Sequence, residues 1–116
     1  MVDKFKALAE ESRLRILALL LDGELCVCEI ESALGMTQSN ASRHLTALKK
    51  CGILESRKDA QWAYYSISPK FKQEDEQLWT YLSVNLKKQT TYSIDHDSCE
   101  KNRQNNMCSC RQNKEE

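Results

Sequence analysis

The sequence predicts a mainly α-helical domain with one small β-hairpin, and three observations support this fold class. Apolar residues recur at helical spacing through most of the first fifty positions and again between residues 71 and 86. Glycines follow three of the helical segments, at positions 23, 35 and 52, where helices commonly stop. Residues 53–67 are rich in β-branched and aromatic side chains around a turn near Asp59. At 116 residues the chain has the size of one domain.

The first half of the chain divides into four short helical segments. The pattern from Phe5 to Leu21 is interrupted at 10–12, which predicts two helices rather than one. The segment from Glu24 to Leu34 places apolar residues on one stripe and stops at Gly35. Thr37 is a suitable N-cap for a further helix from Gln38 to Lys50. Two helices joined by a turn at Gly35 have the layout of a helix-turn-helix.

The helix from Gln38 to Lys50 has an apolar stripe and an opposite polar face that contains no acid. In a helix-turn-helix the second helix enters the DNA major groove, and Arg43 can make a bidentate contact with guanine. The alternative is an ordinary solvated helix face. The polar positions expected to contact DNA are Gln38, Ser39, Asn40, Ser42, Arg43, Thr46 and Lys50.

The predicted hairpin continues the positive surface of that helix. Between positions 43 and 58 there are five basic residues and one acid, although the formal net charge of the whole chain is zero. A local positive surface is the usual footprint of phosphate contact. Arg57 and Lys58 are therefore expected to contact the DNA backbone as a wing, with ordinary surface lysines as the alternative. The expected partner is double-stranded operator DNA.

The segment from Phe71 to Leu86 predicts a helix with an apolar stripe that includes Trp79. In so small a chain this stripe can pack across a homodimer or onto its own domain. The residues predicted for a dimer interface between the first and last helices are Phe5, Leu8, Leu78, Trp79, Leu82 and Leu86.

Two of the six cysteines, Cys26 and Cys28, stand one residue apart at the start of the segment before the recognition helix. In a regular helix their side chains would point about 200° apart, which is too far for two sulfurs to share one ion. Either the backbone is extended or distorted there, or ion binding unwinds the first helical turn. A helix N-terminus also favours the thiolate, the form that binds soft metals. Two buried small hydrophobes are the alternative.

Three segments carry a resemblance to a known family: ELCVCEI at 24–30, TQSNASRHL at 37–45 and WAYYSI at 62–67. With FKALA at 5–9 and RLRIL at 13–17, they resemble the ArsR/SmtB family of metal-responsive repressors, of the arsenical-resistance type, over residues 3–86. The resemblance implies a winged helix-turn-helix homodimer that occupies its operator when metal-free and releases it when a metal or metalloid binds. It also implies dimerisation through the first and last helices.

The expected inducer is As(III) or Sb(III), bound through cysteine thiolates. Arsenic-sensing members often carry a third cysteine three residues after the second, where this chain has Glu31. The missing sulfur is expected from the tail, and the candidate metal ligands are Cys26, Cys28, Cys99, Cys108 and Cys110. Cys99, Cys108 and Cys110 could alternatively form a three-thiol site of their own. A Cd(II), Pb(II) or Zn(II) sensor and a thiol-redox-switched repressor remain alternatives.

We therefore expect a winged-helix and dimerisation domain at 1–88 and a flexible Cys-containing C-terminal tail at 89–116, with Cys51 structural and 95–97 at the surface. No apolar run is long enough to cross a membrane and no signal peptide is evident, which predicts a cytoplasmic protein without a membrane partner. No catalytic residue and no cofactor in the DNA-bound state are expected. A cysteine-based enzyme would leave the acid-free helix face unexplained.

Overall fold

The computed structural model describes residues 1–104. In chain order its elements are α1 (Val2–Leu8), α2 (Glu11–Leu19), β1 (Leu25–Cys26), α3 (Val27–Leu34), α4 (Gln38–Lys50), β2 (Leu54–Asp59), β3 (Trp62–Ile67), α5 (Pro69–Glu74), α6 (Glu76–Asn85) and α7 (Thr91–Gln104). Short 3-10 turns follow α2 and α6.

The helix-turn-helix formed by α3 and α4 packs as predicted. Gly35 adopts a left-handed conformation (φ 65°) that ends α3, and Thr37 Oγ1 accepts a hydrogen bond from the Asn40 backbone N–H at 3.2 Å to start α4. Ile30 of α3 and Leu45 of α4 are fully buried in the core between them. The bracing helix and the recognition helix therefore share one apolar core.

The predicted hairpin is present, and a third strand extends it. β2 and β3 pair antiparallel, and the two-residue strand β1 pairs with the other edge of β3. The segment from residue 24 was expected to be helical throughout, but β1 occupies its start because its backbone is extended before α3 begins at Val27. The fold is thus a winged helix-turn-helix with a three-stranded sheet.

The single helix predicted from Phe71 to Leu86 is two helices. The break lies at Asp75, whose backbone (φ −114°, ψ 45°) leaves the helical region. The Asp75 carboxylate accepts a hydrogen bond from Lys4 Nζ at 2.7 Å, which also raises the pKa of Lys4. This ion pair joins the start of α1 to the α5–α6 junction.

Residues from 89 onward were expected to be irregular, but Thr91–Gln104 form α7, which packs against α2 and α3. The buried Asp95 carboxylate receives Arg15 Nε and Nη2 at 3.0 and 2.8 Å, and this ion pair raises the pKa of Arg15. His96 Nε2 lies 3.0 Å from the Ala18 carbonyl oxygen. Asp95 and His96 were expected at the surface, and they instead attach α7 to α2 because both have polar partners there.

Within residues 1–104, no helix has the length and apolar character needed to cross a membrane.

Candidate DNA-binding surface and metal centre

The thiols of Cys26 and Cys28 converge at the start of α3. Cys26 is the N-cap residue with extended backbone (φ −73°, ψ 149°), while Cys28 lies in the first helical turn. An N-cap side chain folds back over the first turn, so the two sulfurs face each other, with a Sγ–Sγ distance of 3.1 Å. Of the two geometries left open by the sequence, the extended one is correct in this structure.

Contacts with neighbouring residues fix the position of this pair. The Cys26 backbone N–H donates to Glu29 Oε1 at 2.9 Å, which completes one half of a capping box. Cys26 is 1% exposed and packs with Tyr64, while Cys28 and Trp62 are half-buried against them. The inner sulfur is therefore fixed by the fold and the outer one is reachable from solvent.

The other cysteines occupy different environments. Cys51 Sγ donates to the Leu48 carbonyl oxygen at 3.4 Å at the end of α4, in keeping with a structural role. Cys99 is 7% exposed and belongs to the core beneath α7, so burial accounts for a cysteine that was expected in an exposed tail. Cys108 and Cys110 lie outside the described residues. Within residues 1–104, no three metal-ligating side chains are gathered into a site.

A cavity of about 480 Å³ connects the thiol pair to the recognition helix and the hairpin. Its walls include Cys28 and Glu31 of α3, Gln38 and Ser42 of α4, and Trp62 of β3. An ion bound at the sulfurs would therefore lie beside the first turn of the recognition helix.

All of the α4 positions expected to contact DNA are exposed: Gln38, Ser39, Asn40, Ser42, Arg43, Thr46 and Lys50. They lie opposite the fully buried Ala41, Leu45 and Leu48. The wing residues Arg57 and Lys58 of β2 are also exposed. The structure thus displays the predicted polar face, and its contact with DNA stays a prediction.

One residue of the recognition helix was not anticipated from the sequence. His44 is 3% exposed, and its Nδ1 accepts a hydrogen bond from Arg13 Nε of α2 at 3.1 Å. Burial lowers the pKa of His44, and the positive charges of Arg43 and Arg13 lower it further against the opposing effect of Glu10. Because His44 stands among the exposed polar residues of α4, the sequence gives no signal for this buried contact.

Arg57 makes a second unanticipated contact. Its Nε and Nη2 donate to Glu24 at 2.7 and 2.6 Å, and its guanidinium lies 4.6 Å from the ring centroid of Tyr64. The hydrogen bonds to Glu24 raise the pKa of Arg57. The wing is thereby joined to the residue that precedes β1.

The residues predicted for a dimer interface fall into two groups. Leu8, Leu82 and Leu86 are buried in the protomer's own core, while Phe5 is 53% exposed and Leu78 and Trp79 are half-buried. Tyr81 and Val84 of α6 are exposed apolar side chains that the sequence pattern did not select. Exposed apolar side chains therefore lie on α1 and α6, and also at Ile94 of α7, but only part of the predicted set is among them.

Comparisons with known proteins agree with this architecture. The family profile described as "Bacterial regulatory protein, arsR family" matches residues 10–56. The solved structure of Mb0332 from Mycobacterium bovis is 35% identical, with a TM-score of 0.63, over 77% of this chain and 80% of that one. It is described as the homodimeric winged helix-turn-helix DNA-binding domain of a possible ArsR-family transcriptional regulator. The chain belongs to the ArsR family.

The family is one of bacterial regulatory proteins, and its member Mb0332 is described as a DNA-binding domain. The arsenical resistance operon repressor of Escherichia coli (strain K12) is 46% identical over 69 residues, covering 59% of this chain and 59% of the relative. The cadmium resistance transcriptional regulatory protein CadC of Listeria innocua is 44% identical over 64 residues, covering 54% of each. The chain thus spans between half and three-fifths of the length of these curated relatives.

Proposed function

We propose that the protein is a metalloid-responsive repressor: a homodimer that binds operator DNA when metal-free and dissociates when As(III) or Sb(III) binds Cys26 and Cys28. The observation that carries the proposal is the 3.1 Å Sγ–Sγ separation at the start of the bracing helix. The arsenical-resistance name of the Escherichia coli relative supports the same inducer class.

The short separation of the sulfurs favours a pyramidal centre. In a tetrahedral zinc site with Zn–S bonds of about 2.3 Å, neighbouring sulfurs lie about 3.8 Å apart, so the pair would have to open before binding. Trivalent arsenic and antimony carry a lone pair that narrows the S–metalloid–S angles below the tetrahedral value. A closer pair of thiolates suits that geometry, and soft thiolates exclude hard ions such as Mg²⁺.

Release of DNA follows from the position of the pair. Cys26 is the N-cap of α3, and α3 packs directly on α4 through the shared core of Ile30 and Leu45. Because the two sulfurs already lie 3.1 Å apart, the change comes when a third thiolate joins the same ion and pulls on the first turn of α3, and α4 shifts with that turn. Because base contacts require the recognition helix to lie in the groove, a small displacement weakens operator binding.

The third sulfur is best supplied by Cys108 or Cys110. Cys99 would have to leave the core, whereas the last turns of α7 lie against α3, where Asn102 Nδ2 donates to Ser32 Oγ. Ser32 is one helical turn beyond Cys28 on the same stripe. Cys108 and Cys110 follow Gln104 by four and six residues, which reach at most about 13 and 20 Å when extended.

In this proposal residues 1–88 form the DNA-binding and dimerisation unit, and residues 89–116 form a segment that begins with α7 and provides thiols. The exposed apolar side chains of α1 and α6, including Phe5, Tyr81 and Val84, form the homodimer interface. The acid-free face of α4 reads the operator, and the basic wing contacts its phosphates. As a DNA-binding regulator, the protein acts in the cytoplasm.

A second candidate function is a Cd(II), Pb(II) or Zn(II) sensor with the same fold. It is favoured by the 44% identity to CadC of Listeria innocua and by the presence of enough cysteines for a sulfur-rich site. A redox-switched repressor uses the same thiols and is distinguished by its response to peroxide.

The test begins with DNA selected from a random pool by the reduced, metal-free protein. Fluorescence anisotropy of that DNA is then followed as As(III), Sb(III), Cd(II), Pb(II), Zn(II) or peroxide is added separately. We expect release by As(III) and Sb(III) at the lowest concentrations. No selected DNA at all would refute the repressor, and release by Cd(II) or peroxide alone would favour the corresponding alternative.

Matched cysteine variants locate the inducer site in the same assay. Cys26→Ser and Cys28→Ser should keep DNA binding and lose release by As(III), whereas Cys51→Ser should keep both. The Cys108→Ser/Cys110→Ser double variant should lose release and Cys99→Ser should retain it. Retained release in Cys28→Ser would remove the thiol pair from the proposed site.

A further inference from the structure

The inducer thiol, an aromatic ring and the wing arginine form one row across the sheet. Cys26 of β1 lies opposite Tyr64 of β3, and Tyr64 lies opposite Arg57 of β2. The guanidinium of Arg57 stacks near the Tyr64 ring at 4.6 Å. Neighbouring residues in such a row contact each other through their side chains, so the wing and the thiol strand are physically connected.

Glu24 contacts the exposed end of this row, at Arg57. It stands two residues before Cys26, and both of its carboxylate oxygens accept hydrogen bonds from Arg57, at 2.6 and 2.7 Å. The Arg57 side chain is 47% exposed and that of Glu24 is 32% exposed, so solvent and DNA can both reach the pair. The Glu24 carboxylate therefore occupies the Nε–Nη2 edge of the guanidinium. The same edge donates both hydrogen bonds when an arginine binds a phosphate in a bidentate contact.

We propose that Glu24 competes with the DNA backbone for Arg57 and thereby sets the affinity of the wing for the operator. This inference rests on the proposed DNA-binding function. When a phosphate takes the Nε–Nη2 edge, the two hydrogen bonds to Glu24 break and its carboxylate returns to water. The free-energy cost of breaking these two hydrogen bonds lowers operator affinity. The bonds are made by Glu24, the residue immediately before the strand that carries Cys26.

The geometry favours competition over a supporting role for Glu24. A supporting carboxylate would orient Arg57 from behind and leave its phosphate-binding edge open, but here the carboxylate covers that edge. The Tyr64 ring already holds the guanidinium from its face. Arg57 therefore keeps an orienting contact when Glu24 is displaced.

A double-mutant cycle tests the proposal with Glu24→Gln, Arg57→Gln and the double variant, using anisotropy with the selected DNA. Glu24→Gln should tighten binding by about two- to fivefold, the range expected for an exposed ion pair. In the Arg57→Gln background the same change should have no effect, because there is no longer an arginine to compete for. Glu55→Gln, an exposed acid on the same strand β2, is the matched control and should show no coupling to Arg57.

The salt dependence of binding gives a second readout. Arg57→Gln should reduce the slope of log Kd against log salt by about one unit, as expected for one lost phosphate contact, while Glu24→Gln should not. Weaker binding by Glu24→Gln would overturn competition in favour of orientation. Equal tightening with and without Arg57 would also overturn competition, because the effect of Glu24→Gln would then come from general charge repulsion between Glu24 and DNA. Failure of the unmodified protein to bind any DNA would refute the proposed DNA-binding function itself, and that result is distinguishable from a failure of the competition between Glu24 and DNA.

Discussion

At the residue scale, the backbone of Cys26 determines what the thiol pair can do. Apolar spacing placed a helix over Glu24 to Leu34, and in that helix the sulfurs of Cys26 and Cys28 would diverge. The structure starts the helix at Val27, so that Cys26 becomes the N-cap and its sulfur meets that of Cys28. Helix boundaries are poorly defined by periodicity because the N-cap already shares the apolar pattern. The sequence therefore left two geometries open for this pair, and only the structure decides between them.

His44 gives a pH prediction for stability. Its pKa is lowered by burial, by Arg43 and by Arg13, so between its ordinary value near 6.5 and its lower folded value the unfolded chain binds more protons. The contribution of His44 should be complete above about pH 6.5 and should be lost as the pH falls below it. Urea unfolding from pH 7.5 to 5.0 should show a steeper loss for the unmodified protein than for His44→Asn, whose amide oxygen can still accept from Arg13. Parallel pH profiles would contradict this role.

At the scale of elements, the hairpin turn and α7 each have a feature that the residue pattern does not predict. The hairpin was predicted from β-branched and aromatic residues within 53–67, most of which lie in β3, although its turn contains no glycine and Ala60 adopts a left-handed conformation (φ 58°). Helix α7 was missed because polar groups hold it, including Arg15–Asp95 and Asn102–Ser32, and apolar periodicity cannot detect such contacts. Elements with an apolar stripe were therefore easier to predict than an element held by ion pairs.

The turn predicts a stabilising substitution. Ala60→Gly should raise the free energy of unfolding by about 0.5–1 kcal/mol, because glycine adopts the left-handed conformation without the steric cost of Cβ. Ala63→Gly, at a regular position of β3, is the control and should lower it by a similar amount. Urea titrations of the three proteins measure both effects. A loss of stability in Ala60→Gly would mean that the turn is not strained.

The attachment of α7 predicts unequal effects of removing its two ion-pair partners. Arg15→Met should lower the free energy of unfolding by about 2–3 kcal/mol, because it leaves the Asp95 carboxylate buried without a cation. Asp95→Asn removes the buried charge itself and should cost about 1 kcal/mol. Urea unfolding compares the two, with hydrogen exchange in Thr91–Gln104 reporting on α7 locally. An equal or larger loss in Asp95→Asn would contradict a buried, compensated carboxylate.

At the scale of the whole molecule, the fold and the exposed polar face of α4 followed from sequence, whereas the long-range polar contacts did not. The two-helix unit and its exposed face were predictable because both depend on local periodicity. The contact of Arg57 with Glu24 joins residues 33 positions apart, and that of Arg15 with Asp95 joins residues 80 apart. Long-range polar pairs leave no periodic trace in one sequence, so only the structure connects the wing and α7 to the thiol segment.

In the proposed mechanism, one ion held by Cys26 and Cys28 releases the operator. A single As(III) titration of the DNA-bound protein, in which thiolate–arsenic absorbance and DNA anisotropy are recorded together, tests this most directly. Both signals should change in parallel and reach their plateaus at one equivalent per protomer, and Cys28→Ser should lose both. Saturation of the absorbance signal with the DNA still bound, or release of DNA from Cys28→Ser, would contradict it.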